Sequence, residues 1–215
     1  FTGTGVSVLS NCNIMAILIS SNQNSLQICN VLEVYYGDST QNATIVNFFS
    51  AAGNSTVLSM YSILQYVKLP ATVTWTTWTS MFYECVSLLK VVMPTSNSAA
   101  TSYNQTFFSC FALLEITFPS NSTNINDLGS CFSNCYNLRS VTFPTTLNSC
   151  SVFPSIFNNC KNLKSVTFPS INTATSLGSM FNNCTQLEWV KFTSMPTVVG
   201  AINMNSSFTG CYNLQ

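Results

Sequence analysis

A repeat of about 25 residues constrains this chain more than any other feature. Aligned on cysteine, six units appear, at Cys85, Cys110, Cys135, Cys160, Cys184 and Cys211, and Tyr61 fills the same slot one period earlier. Three residues before each cysteine stands a phenylalanine (Phe82, Phe107, Phe132, Phe157, Phe181, Phe208). Three after it stands a leucine (Leu88, Leu113, Leu138, Leu163, Leu187, Leu214). Six after it comes Val91, Ile116, Val141, Val166 or Val190. Two further on comes Met93, Phe118, Phe143, Phe168 or Phe192, and Pro94, Pro119, Pro144 and Pro169 close their units. A fixed period with this many columns in register is the mark of a stacked-repeat architecture.

The period within each unit predicts its local structure. The closing V-x-F alternates apolar and polar, so it reads as a short strand with both apolar side chains inward and Lys68, Val92, Thr117, Thr142, Thr167 and Lys191 outward. Proline is expected to end that strand, having no N–H to donate. Upstream, apolar residues at three- and four-residue steps predict a single helical or 3₁₀ turn. Asn137, Asn162 and Asn213, two after the cysteine, suit a left-handed turn position. One such unit cannot bury its apolar face alone, so neighbours must share it. The expected fold is a solenoid of short parallel β-strands with helical or 3₁₀ turns, 24–25 residues per rung. Residues 58–215 form its continuous part. Residues 1–57, less regular around Cys12 and Cys29, read as degenerate N-terminal rungs or a cap, with an insertion near 37–56.

Composition removes several function classes. Charged residues are 6% of the chain, six basic against six acidic, where about a quarter is ordinary. Neither a nucleic-acid groove nor a polybasic membrane patch can be built from so few cations. The longest apolar stretch, Gly5–Ser20, is too short and too interrupted by Ser and Asn to span a bilayer, so no membrane insertion is expected. The polar bulk is Ser, Thr and Asn, as on many secreted and surface proteins.

The ten cysteines invite a metal or disulfide reading. Zinc ligands come as closely spaced pairs, often with histidine; histidine is absent here and Cys131/Cys135 is the one close pair. In a ladder, equivalent side chains run parallel rather than toward each other, so the repeat cysteines are expected to be buried free thiols acting as small hydrophobes. Off-ladder Cys12, Cys29, Cys131 and Cys150 are where a bridge would form. Without histidine no Ser-His or Cys-His nucleophile is possible. The six acids fall in different slots, and no phosphate-cradling glycine loop occurs. No enzyme, cofactor or metal is expected. Tyr66, Tyr136, Trp189 and Tyr212 at outward positions, with Lys90, Glu115, Arg139 and Lys164 near the strand starts, form the candidate ligand surface. The structural ladder is Phe82, Cys85, Leu88, Phe107, Cys110, Leu113, Phe132, Cys135, Leu138, Phe157, Cys160, Leu163, Phe181, Cys184 and Leu187.

The unit I-x-x-L-x-x-M-F-x-x-C-x-x-L-x-x-V-x-F-P, running from about Leu58 to Gln215, resembles the BspA-type leucine-rich repeat. That resemblance implies a right-handed leucine-rich-repeat solenoid with a parallel sheet along one side. It also implies a surface protein: a bacterial adhesin, a protist surface antigen, or a repeat module of a phage tail or virion. The expected function is non-enzymatic recognition or adhesion at an extracellular, cell or virion surface, binding a host surface protein or glycan through a solenoid face. The alternative is a structural spacer or decoration that assembles with further copies of itself by rung stacking.

Overall fold

The computed structural model describes residues 2–3, 12–19, 29–36, 64–69, 71–194 and 202–215. Among these residues nine strands run parallel: β1 (Thr2–Gly3), β2 (Cys12–Ile19), β3 (Cys29–Tyr36), β4 (Tyr66–Lys68), β5 (Lys90–Val92), β6 (Glu115–Thr117), β7 (Ser140–Thr142), β8 (Ser165–Ser170) and β9 (Trp189–Ser194). β1 to β7 form one sheet in chain order, and β8 pairs with β9 in a second. Strands adjacent in sequence are adjacent in space, so each connection is one coil of a solenoid. The register sets like on like: Val34 pairs with Val67, Val67 with Val91, and Ile116 with Val141. Cys12 lies opposite Cys29, a spacing of 17 residues. Tyr61 and the insertion expected at 37–56 lie outside the described residues.

Stacking of identical residues builds the core. Phe82, Phe107, Phe132, Phe157, Phe181 and Phe208 stack face to face, with centroids 5.3 to 5.5 Å apart. Phe118, Phe143, Phe168 and Phe192 make a second column. The two columns meet edge to face, as Phe118 does Phe132 at 84° and Phe168 does Phe181 at 77°. Phe132, Phe143, Phe157, Phe168 and Phe181 therefore each have stacked neighbours above and below and an edge contact beside them, geometries worth about 0.5–1.5 kcal/mol per pair beyond area burial. The ladder residues from Phe82 to Leu187 are all fully buried.

Proline does not always close the strand. In β8, Pro169 lies inside the element. β8 has no ladder to β7, and a proline on an unladdered side forfeits no hydrogen bond. The coil nonetheless continues across that gap. Phe143 stacks on Phe168 at 4.8 Å, and a second, one-residue-wide ladder runs Thr77, Ser102, Asp127, Val152, Ser176, Asn203.

The expected helical turn is replaced by something else: no helix forms among the described residues. From Trp78 to Glu84 the N–H groups alternate in use. Those of Trp78, Ser80, Phe82 and Glu84 donate to Ser102, Asn104, Thr106 and Phe108 in the next rung. Those of Met81, Tyr83 and Cys85 close turns onto the residue three back. Ser80 and Glu84 sit at positive φ, as do Gln105 and Ser109, Ser130 and Asn134, Ser155 and Asn159, Ser179 and Asn183, and Ser206 and Gly210. Two left-handed residues per rung forbid a right-handed helix. The three- and four-residue apolar spacing comes instead from consecutive turns.

The left-handed position is also one the Asn spacing misplaces. It lies immediately before the cysteine, and Asn137, Asn162 and Asn213 keep negative φ. Asn134, Asn159 and Asn183 fill the true site and link side chain to side chain. Asn159 Nδ2 donates to Asn134 Oδ1 at 2.8 Å, and Asn183 Nδ2 to Asn159 Oδ1 at 3.1 Å.

Candidate functional site

The inward valine of each strand dictates what faces water. With Val67, Val91 and Ile116 buried, the residue before each turns outward: Tyr66, Lys90, Glu115 and Ser140, one per strand from β4 to β7. Parallel register sets Tyr66 beside Lys90, Lys90 beside Glu115, and Glu115 beside Ser140. Gln65, Leu89, Leu114 and Arg139 precede them, and both rows line one open groove of about 590 Å³. Its backbone is tied across rungs by Leu89 N–H to Gln65 O at 2.9 Å and Arg139 N–H to Leu114 O at 2.8 Å. A second depression of about 500 Å³, between Lys90 and Ser120, shares Lys90 and Glu115 with the first.

The groove has an apolar floor and a charged rim. Leu89 is 41% exposed, whereas its neighbour Leu88 and the repeat leucines Leu113, Leu138, Leu163 and Leu187 are fully buried. Lys90, Glu115 and Arg139 stand around it, exposed and not joined in ion pairs. Among the described residues the one ion pair is Lys164 to Glu188 at 3.7 Å. Both partners are well solvated, so it contributes at most about 1 kcal/mol.

Of the eight candidate residues, the structure brings Tyr66, Lys90, Glu115 and Arg139 together and leaves four elsewhere. Lys164 is engaged with Glu188. Trp189 opens β9 opposite Ser165 and is 47% exposed. Tyr212 is highly exposed in the last unit. Tyr136 is stacked on Phe111 of the preceding rung at 4.8 Å, and Lys161 of the following rung covers its ring at 4.8 Å. With both faces taken, Tyr136 offers a sugar only its edge. Leu89 and Leu114 were not among the candidates. Their signal was in the sequence, since the same slot is polar in Gln65, Arg139, Lys164 and Glu188.

The thiols are placed for structure. Cys85, Cys110, Cys131, Cys135, Cys150, Cys160, Cys184 and Cys211 are free thiols, all buried except Cys211, which is partly so; the side chains of Cys12 and Cys29 lie outside the described ones. Cys110, Cys135, Cys160, Cys184 and Cys211 each donate S–H to a phenylalanine carbonyl of the preceding rung, at 3.0 to 3.1 Å. Burial pushes these thiols above their ordinary range, that of Cys150 to about 12. Such a thiol is a poor nucleophile. Among the described residues no three Cys, Asp or Glu side chains gather to hold a metal.

A further column went unrecognised in the sequence. Thr77, Ser102, Asp127, Ser176 and Asn203 use a side-chain oxygen to accept the N–H two residues on, that of Thr79, Asn104, Gly129, Gly178 and Asn205. The exception explains itself: Val152 stands where the residue two on is Pro154, which has no N–H to cap.

Comparison with known proteins agrees with this geometry. The BspA type Leucine rich repeat region matches in six copies, over residues 33–151 and 101–215. A crystal structure of a T. pallidum leucine-rich repeat protein is similar, with TM-score 0.57 and 21% identity, covering 93% of this chain and 83% of that one. Leucine-rich repeat proteins of Eubacterium ventriosum (TM-score 0.41, 15% identity, 92% and 64% coverage) and Bacteroides ovatus (0.40, 16%, 86% and 60%) also align. A search of curated proteins gave no match.

Proposed function

The chain belongs to the BspA-type leucine-rich repeat family, and we propose on that footing that it is a non-enzymatic recognition module displayed at a cell or virion surface. It engages an extended segment of a partner protein across the leading ends of β4 to β7. The observation carrying this reading is the groove of Gln65, Tyr66, Leu89, Lys90, Leu114, Glu115, Arg139 and Ser140. An exposed leucine floor flanked by unpaired charges of both signs fits a polypeptide that presents an apolar side chain between opposite charges. A neutral glycan is the less favoured occupant of this groove, because Tyr66 is the one aromatic side chain in its lining and its rim is charged.

The test is an array of host surface proteins and glycans probed with the chain and with a Leu89→Ser/Lys90→Glu/Arg139→Glu variant. Wild-type capture of a protein that the variant loses tenfold or more, with unchanged thermal unfolding, supports the assignment. Capture that survives all three changes, or binding confined to glycans and sensitive to Trp189→Ala, overturns it.

A further inference from the structure

One region of the core breaks the apolar rule that the ladder obeys elsewhere. Trp75, Trp78, Asn97, Tyr103 and Ser122 are all buried, none more than 3% exposed. Later rungs carry Ala100, Ile125, Cys150 and Ala174 in the Trp75 column. They carry Leu128, Phe153 and Leu177 in the Trp78 and Tyr103 column, and Leu147 and Ile171 in that of Asn97 and Ser122. The polar side chains are thus confined to neighbouring rungs and meet there. Trp75 and Trp78 lie with ring centroids 5.0 Å apart, and Tyr103 stacks on Trp78 at 5.3 Å. Asn97 Nδ2 donates to the Trp75 carbonyl at 3.2 Å, and Ser122 Oγ donates to the Asn97 carbonyl at 2.8 Å.

Four polar atoms of this cluster make no well-formed hydrogen bond within the protein: Trp75 Nε1, Trp78 Nε1, Asn97 Oδ1 and the Tyr103 hydroxyl, the last lying near the Ser122 and Asn97 side chains. The other such atom among the described residues, Asn158 Oδ1, belongs to a different segment. Buried donors and acceptors are rarely left unmade, because each forfeits its bond to water on folding. Four on a set of packed side chains call for a common partner. They comprise two donors, one acceptor and one group that can do either.

The guest that complements this inventory must accept two hydrogen bonds and donate two. An anion would satisfy the indoles but face the Asn97 oxygen. A cation would face two N–H groups, and an apolar guest would satisfy none of the four. We propose that the cluster encloses an internal hydration site, in which a permanently bound water accepts from the Trp75 and Trp78 indoles and donates to Asn97 Oδ1 and the Tyr103 oxygen. The Tyr103 proton is then left for Ser122 Oγ. The hydroxyl is strongly desolvated, and Ser122 and Asn97 are the neighbours that partly offset this. Buried waters of this kind have two to four polar partners and persist as part of the fold.

The test is a crystal structure of the chain at a resolution that shows solvent, with water-oxygen magnetic relaxation dispersion in solution. Density for a solvent molecule within about 3.2 Å of at least two of the four atoms is expected, and Asn97→Leu/Trp78→Leu should lose one long-lived water relative to wild type. An empty core, direct pairing of the four atoms with each other, or an unchanged count in the double variant would overturn the assignment. Should that variant not fold, the wild-type density alone decides.

Discussion

The Sγ of Cys110 lies 3.0 Å from the carbonyl oxygen of Phe82, which also accepts the N–H of Cys85 at 3.1 Å. One carbonyl thus closes a turn in its own rung and holds the thiol of the next. The pattern recurs with Cys135 on Phe107 and Cys160 on Phe132, so the repeat cysteine is both a volume filler and a tie between rungs.

Removing that tie has a measurable signature. Cys135→Ala should cost about 2–3 kcal/mol, combining a small cavity with a lost hydrogen bond. Cys135→Ser keeps a donor and should cost less. Urea unfolding of the two variants decides, and a serine variant no more stable than the alanine one would show that the thiol acts by volume alone.

The thiols also make stability depend on alkaline pH. Burial raises Cys85, Cys110, Cys131, Cys135, Cys150, Cys160 and Cys184 above their usual 9.0 in the fold. Well below pH 9 they are protonated folded or unfolded, and their contribution is fully present. Above it the unfolded chain loses thiol protons that the folded chain keeps. Stability therefore falls with rising pH, by up to about 1.4 kcal/mol per unit for each thiol. The urea midpoint should be level from pH 6.5 to 7.5, begin to fall by pH 8.5 and drop steeply by pH 10.5. A level profile throughout would contradict closed burial of the ladder.

The capping column predicts a coupling. Asp127 accepts Gly129 N–H at 2.8 Å and both oxygens receive Asn104 Nδ2, so Asp127→Ala should cost about 1–3 kcal/mol. Val152→Ser should gain nothing by itself, because Pro154 has no N–H. Combined with Pro154→Asn it should recover at least about 0.5 kcal/mol of coupling in a double-mutant cycle. Additive effects would mean the column is incidental.

The left-handed site distinguishes conformation from side-chain bonding. Asn159 has φ 61° and bonds on both sides, to Asn134 and Asn183. Asn159→Gly keeps the backbone and loses the amide links, a cost of about 1 kcal/mol. Asn159→Val adds left-handed strain on a β-branched residue, and should cost roughly a further 1–2 kcal/mol. Thermal unfolding of the pair reads the difference; equal losses would place the whole effect in the amide ladder.

Sequence made the core columns plain, because a solenoid stacks like on like and Phe82 to Phe208 could occupy one slot only by sharing one position in space. The turns were another matter. Apolar spacing at Trp78, Met81, Phe82 and Cys85 suits a helical turn and a pair of β-turns equally. Serine at Ser80, Ser130 and Ser155 does not advertise the positive φ those residues adopt. The capping oxygens of Thr77 and Ser102 were hidden in a chain already rich in Ser, Thr and Asn. For the surface, exposure singled out Tyr66, Lys90, Glu115 and Arg139. Their gathering depends on strand register, and the covering of Tyr136 by Phe111 and Lys161 depends on side-chain directions beyond spacing.

The alternating N–H groups of the turn segment all point one way. Trp78, Ser80, Phe82 and Glu84 donate toward higher residue numbers, as do Tyr103, Gln105, Phe107 and Ser109, and then Leu128, Ser130, Phe132 and Asn134. Peptide dipoles aligned in this sense add rather than cancel, as they do in an α-helix. This flank of the coil therefore carries an electrical polarity along its axis, positive toward the C-terminal rungs. A carboxylate placed beyond Ser206 and Gly210, which continue the Ser80 and Glu84 columns, would be stabilised there, and a lysine would not.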